Sequence, residues 1–192
     1  MAEPAHQIVL IRHGETEWSA AGRHTSRTDI PLTDQGRRQA ESLGICLQRW
    51  RFALVLTSPL QRAAETCRLA GLADDAQTRP DLVEWDYGDY EGVTTTEIRK
   101  QRPDWTLWLD GVSGGETAGQ VAARAERVLG EVRQADGDVA LFSHGHFLRV
   151  LAARWIALPP EMGRAFALET ATISVLGFER ETPVISRWNQ PC

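Results

Sequence analysis

The sequence predicts an α/β sandwich, with helices on both faces of a mainly parallel sheet. Three observations carry that expectation. Short apolar runs alternate with amphipathic helix patterns along the chain, and the first runs end in glycine- or proline-bearing loops that lead into a helix. The third observation is size: 192 residues at 42% hydrophobic can bury the core of one domain.

Residues 7–11 (QIVLI) form the first buried strand. Residues 34–50 come next as a helix, opened by Thr33, whose side-chain oxygen can accept a free N–H of the first turn. Residues 53–56 (ALVL) are a second strand, and a helix over 60–70 starts after Pro59. Residues 79–116 break the pattern with glycines, Pro80, Pro103 and five aromatics, Trp85, Tyr87, Tyr90, Trp105 and Trp108, and read as a cap-like excursion from the sheet or a satellite core under a long loop. A helix over 117–135 carries Val121, Ala125, Val128 and Val132 at helical spacing, then come strand 139–142 (VALF) and helix 147–156. Runs at 173–178 and 184–188, joined by a polar turn containing Pro183, close the sheet. The expectation is one domain over residues 1–192.

Charge and composition exclude several partners. Of 21 basic residues Lys100 is the only lysine, so 20 are arginines, most of them read as compositional bias. A net charge of −5 with no dense basic stripe argues against nucleic acid, so any anion recognised is small. No apolar run approaches the roughly 20 residues that cross a bilayer, and Glu3 and His6 precede the first apolar stretch where a secretory signal would be basic. Only Cys46, Cys67 and Cys192 are present, which speaks against a disulfide scaffold and for a reducing compartment. Together these features predict a cytoplasmic protein with no membrane or nucleic-acid partner.

In open α/β sheets the ligand-binding residues gather at the carboxyl ends of strands. After the first strand stands Arg12-His13-Gly14-Glu15-Thr16, after the second Thr57-Ser58-Pro59 and then Arg62, and after the third Ser143-His144-Gly145-His146, with Arg149 a helical turn later. Parallel pairing would bring Arg12, His13, Arg62 and His144 into one crevice. A single histidine after a strand is usually an ordinary loop residue; the set at matching strand ends is not. A neutral imidazole is a nucleophile near pH 7 and can carry a phosphoryl group, while the planar arginine fork suits its non-bridging oxygens. Gly14 and Gly145 let the backbone come close at helix starts that favour anions. A carboxyl group must then protonate the leaving oxygen. Glu84, in the aromatic-flanked stretch VEWDYGDYEG, is the leading candidate, but Asp86, Asp89 and Glu91 compete and spacing does not choose among them. His144 and His146 could be a metal pair, but no third and fourth ligand stand in comparable context, so neither metal nor cofactor is expected. Trp18, Trp85 and Trp108 read as packing residues.

At these residues the sequence resembles the histidine phosphatase superfamily, also called the phosphoglycerate mutase-like family. The resemblance rests on IRHGE at 11–15, PLTDQGRRQA at 31–40, TSPLQRAAET at 57–66 and SHGH at 143–146, and runs from about residue 7 to 180. It implies a single α/β domain, a phosphohistidine intermediate on His13, a metal-free phosphate pocket of Arg12, Arg62 and His144, and Glu84 at the position of the proton donor. The stretches EWSAAGRHTSRTD, EWDYGDYEG, LWLDGVSGGET and HGHFLR are similar to those of fungal sedoheptulose-1,7-bisphosphatase and related bacterial phosphatases. By that similarity Ser19, Thr25 and Ser26 line the substrate side with Tyr87 and Gly145, and His24, Ser58 and Arg149 receive a second phosphate or other anionic group. Ser19 stands where the family commonly has asparagine, and Ser26 where it has glycine. The chain lacks much of the insertion and tail of cofactor-dependent mutases. The resemblance therefore implies a phosphomonoesterase for small phosphorylated metabolites, sugar phosphates or bisphosphates. The alternatives are a phosphoglycerate mutase and a non-catalytic phospho-ligand sensor, the latter having no need of both His13 and Glu84.

Overall fold

Strand β1 (Ile8–Arg12) is apolar on both faces: Ile8 and Leu10 pack into one core layer, Val9 and Ile11 into another, and all four are buried. Such a strand requires cover on both sides. The computed structural model describes residues 6–192, and Glu3, one of the two N-terminal residues that speak against a secretory signal, lies outside them. After β1 come α1 (Glu17–Ala20), α2 (Asp34–Leu47), β2 (Phe52–Thr57), α3 (Gln61–Leu69), β3 (Ala76–Thr78), α4 (Thr95–Arg99), α5 (Leu107–Asp110), α6 (Ala118–Val132), β4 (Asp138–Ser143), α7 (Gly145–Trp155), β5 (Thr172–Glu179) and β6 (Thr182–Pro191).

The strands form one six-stranded sheet in the order β3-β2-β4-β1-β5-β6, with the first four parallel and the last two antiparallel. Helices α2 and α3 cover one face through Leu43, Leu47 and Cys67, which pack on Val9, Ile11, Val55, Ala140 and Phe142. Helices α6 and α7 cover the other, where Val121, Ala125, Val128, Phe147 and Leu151 meet Ile8, Leu10, Leu56 and Leu141. Thr33 caps α2 by accepting from the Gly36 N–H, and Thr117 and Gln120 form a reciprocal capping box at α6. Both helices end three residues short of the expected bounds, and α7 starts at Gly145, two residues early, because His144 is already an extended N-cap. The edge strand β3 has the polar sequence AQT, which carries no apolar alternation to announce it.

Residues 79–116 run through short helices and 3₁₀ turns, and their Trp85, Tyr87, Trp105 and Trp108 join the same core as α6 and α7 rather than a satellite. Gly88, at φ +47°, and Gly115 fold the segment against itself: a Cβ at Gly88 would lie 2.1 Å from the Ser113 carbonyl oxygen.

One expectation needs correction. Cys46 in α2 and the terminal Cys192 are joined in a disulfide, with Cα atoms 6.0 Å apart, and only Cys67 is a buried free thiol. The partners are 146 residues apart and meet because β6 returns along the sheet past α2, which cysteine spacing cannot reveal. No helix among the described residues is long and apolar enough to cross a membrane.

Candidate active site

Parallel pairing sets the site. Arg12 is in register with Ser143, and Thr57 with Phe142, so the loops after β1, β2 and β4 leave the sheet at one edge. The His13 N–H donates to the Ser143 carbonyl at 3.0 Å, and the rings of His13 and His144 lie 5.2 Å apart. The loop carrying His13 is held from below: the Gly14 N–H donates to Thr66 Oγ1 at 3.0 Å, and a Cβ on Gly14 would come within 2.4 Å of the Gly36 carbonyl oxygen.

The hydrogen bonds of His13 define its tautomer. Nδ1 lies 2.7 Å from the Gly14 carbonyl, which can only accept, so Nδ1 carries the proton and Nε2 the lone pair. Nε2 has no partner among the described residues, and His13 lines a cavity of about 420 Å³. Burial, and then the Arg62 and Arg12 guanidiniums, hold this imidazole well below the usual histidine range, so it is neutral at pH 7.

Arg62 is fully buried behind it. Its Nε–H donates to His144 Nδ1 at 3.2 Å, and its outer nitrogens donate to the carbonyls of Thr25, Ser26 and Thr28. Since Arg62 can only donate, His144 Nδ1 is unprotonated and Nε2–H donates to Ser58 Oγ at 2.8 Å. Burial, with Arg62 beside it, likewise keeps His144 neutral. Ser58 Oγ also accepts from the Leu60 N–H, and no acceptor for its own proton is found among the described residues. Arg12 donates through Nη1 to the Leu168 carbonyl and lies flat against Gly145, where a Cβ would be 3.3 Å from the guanidinium carbon. Its Nε–H is buried without an acceptor.

Of the four competing acids only Glu84 lines the cavity. Its Oε1 accepts from the backbone N–H groups of Trp85 (2.9 Å) and Phe147 (2.8 Å), and its Oε2 from that of His146 (3.1 Å), so the first turn of α7 grips the carboxylate. Oε1 has both lone pairs engaged; Oε2 keeps one free. Asp86 is instead paired with Arg27, and Glu91 accepts from the backbone of Ser26 and Thr28.

Ser19, His24, Thr25, Tyr87, Gly145 and Arg149 also line the cavity. Ser26 does not, because its hydroxyl donates to Glu91, and Ser58 sits beneath His144 rather than in a second anion site. Arg149 stacks over Trp108 at 4.7 Å and donates to the carbonyls of Gly163 and Arg164. Arg23, Arg99, Arg164 and His146 line the cavity as well, and the sequence does not single them out as site residues. The arginines are hidden in a chain rich in arginine, and His146 reads from its spacing only as a metal ligand. Among the described residues no group of three or more His, Cys, Asp or Glu side chains is placed to hold a metal ion.

A histidine with a free Nε2, flanked by guanidiniums at the carboxyl ends of parallel strands, makes a pocket for a small tetrahedral anion. The chain belongs to the histidine phosphatase superfamily (branch 1), which its residues 8–191 match. It is 45% identical over 178 residues to an acid phosphatase of Mycobacterium tuberculosis, covering 91% of this chain and 87% of the relative. It is 37% identical to the sedoheptulose 1,7-bisphosphatase of Saccharomyces cerevisiae, covering 79% of this chain and 68% of the relative. Among solved structures, that of an open reading frame of Mycobacterium tuberculosis superposes with a TM-score of 0.92 at 41% identity, covering 97% and 98% of the two chains. A mycobacterial glucosyl-3-phosphoglycerate phosphatase complexed with VO3 gives a TM-score of 0.88 at 26% identity, covering 97% and 100%.

Proposed function

We propose that the protein is a phosphomonoesterase that hydrolyses small phosphorylated metabolites through a phosphohistidine on His13. The observation that carries this reading is the Nδ1–H to Gly14 bond, which leaves the His13 Nε2 lone pair facing an open cavity between Arg12 and Glu84. In the first step Nε2 attacks phosphorus, the P–O ester bond breaks, and a proton on Glu84 Oε2 passes to the leaving alkoxide. In the second, water attacks phosphorus and gives its proton to Oε2, and the P–N bond breaks to restore the lone pair. Arg12 and Arg62 stabilise the equatorial oxygens, and His144, whose two nitrogens are engaged by Arg62 and Ser58, acts by holding Arg62 and by leaving the Ser58 hydroxyl proton free to donate.

The relatives' names favour sugar phosphates or bisphosphates. Five arginines (Arg12, Arg23, Arg99, Arg149 and Arg164) line a cavity in which Glu84 is the sole acid, and none of the five pairs with a carboxylate among the described residues. That surplus suits a substrate with a second anionic group, held by the outer arginines. The chain acts as one domain with residues 79–116 as its cap. A cytoplasmic location fits the substrate class, whereas the Cys46–Cys192 bond fits a less reducing setting. Phosphate release from a panel of p-nitrophenyl phosphate, sugar monophosphates and sugar bisphosphates tests the proposal. Release that disappears in His13→Ala supports it. Isomerisation of 3-phosphoglycerate without phosphate release would replace it with a mutase.

A further inference from the structure

Two histidines on the cavity wall have no part in the phosphoryl-transfer steps, and their hydrogen bonds fix opposite tautomers. His24 Nδ1 lies 2.7 Å from the Val93 carbonyl, so Nδ1 holds the proton and Nε2 is an acceptor. His146 Nδ1 lies 2.6 Å from the Tyr87 hydroxyl. If Nδ1 donated, the buried Tyr87 O–H would have no acceptor, because His146 is its only partner among the described residues. Tyr87 therefore donates, and His146 Nε2 bears the hydrogen. Neither Nε2 has a partner among the described residues, neither is among their occluded, unpaired polar atoms, and both residues line the cavity.

Both rings stay neutral, His146 through burial and the nearby Arg149, His24 through burial. The rings lie 6.3 Å apart with planes 29° from parallel. A substrate group that meets this wall of the cavity finds one acceptor, His24 Nε2, and one donor, His146 Nε2–H. An anion is a poor fit, since His24 presents a lone pair; an alcohol, both donor and acceptor, satisfies the pair.

We infer that His24 and His146, the latter oriented by Tyr87, form a specificity site for a hydroxyl on the leaving alcohol: His146 Nε2–H donates to its oxygen and His24 Nε2 accepts its proton. The substrate class narrows to phosphate esters of polyols. The inference rests on the phosphatase reading, and it reassigns His24 from anion contact to hydroxyl reader.

The test compares kcat/KM for glycerol 1-phosphate and n-propyl phosphate, with p-nitrophenyl phosphate as reference, in wild type, Tyr87→Phe and His146→Phe. A polar pair left unmet should disfavour n-propyl phosphate by about 100-fold or more in wild type. Tyr87→Phe frees the His146 tautomer and should shrink that ratio about tenfold, and His146→Phe, which keeps an aromatic ring against Trp108, should bring it near one. A general structural loss would lower both substrates together and leave the ratio intact. A wild-type ratio near one, or a high ratio unchanged in both variants, overturns the inference while p-nitrophenyl phosphate turnover keeps the phosphatase reading. Absence of turnover on all three substrates in wild type overturns the phosphatase reading itself.

Discussion

Glu84→Gln separates the two tasks given to this side chain. In the structure three backbone N–H groups converge on two carboxylate oxygens, two at Oε1 and one at Oε2. A glutamine offers one oxygen and one NH2. With the oxygen at the Oε1 position it keeps Trp85 and Phe147 but sets its NH2 against the His146 N–H, and the flipped amide abandons two donors instead of one. At least one buried backbone donor is left unsatisfied, which costs about 1–3 kcal/mol. For a chain of this length that corresponds to a fall in Tm of about 2–12 °C. Kinetically, a carboxamide N–H is too weak an acid to protonate the leaving alkoxide, so kcat/KM on an alkyl phosphate should fall about 10²- to 10⁴-fold. The loss on p-nitrophenyl phosphate should be far smaller, since nitrophenolate leaves unprotonated. Calorimetry and paired kinetics read both effects. Equal losses on the two substrates would refute the proton-donor role, and an unchanged Tm would refute the three-donor grip.

The buried histidines, the disulfide and Gly145 each give a further outcome. His13, His144 and His146 are held neutral in the fold below their unfolded pKa of about 6.5, so the unfolded chain binds more protons as pH falls and stability is lost below that value. Between pH 6.5 and 5.5 the loss is about 1 kcal/mol per group, about 3 kcal/mol in all, visible as a lower urea midpoint. Reducing the Cys46–Cys192 bond, which closes a loop across 146 residues of sequence, should cost about 2–4 kcal/mol of unfolding free energy, whereas Cys67, its thiol pushed up to about 12 by burial, should stay unmodified by alkylating reagents in the native protein. Gly145→Ala, with its Cβ about 3.3 Å from the Arg12 guanidinium, should lower kcat/KM about tenfold by displacing the fork, with little change in Tm.

The sheet is legible in the sequence because β1, β2 and β4 are apolar on both faces, and because the residues after them are chemically unusual. Boundary errors come from capping geometry: His144 is extended while Gly145 is already helical, and periodicity alone does not mark that step. Strand β3 escapes because a short polar edge strand is held by pairing with β2 and not by burial. Within the site, strand ends point to Arg12, His13, Arg62 and His144, but side-chain partners are out of reach. The choice of Glu84 over Asp86, Asp89 and Glu91 from the residues alone depends on where α7 begins, and the tautomers of four histidines depend on contacts made across 59 to 86 residues of sequence for Tyr87–His146, His24–Val93 and Ser58–His144, with His13–Gly14 the lone local one. The disulfide depends on the path of the last strand.

The most direct measurement is the site of the covalent intermediate. Wild-type protein mixed with labelled substrate and quenched without acid should yield an acid-labile, base-stable phosphoprotein, and mass spectrometry with phosphorus NMR should place the phosphoryl group on Nε2 of His13. A phosphoryl group on Nδ1, or label that persists in His13→Ala, would contradict the nucleophile and tautomer that the Gly14 bond defines.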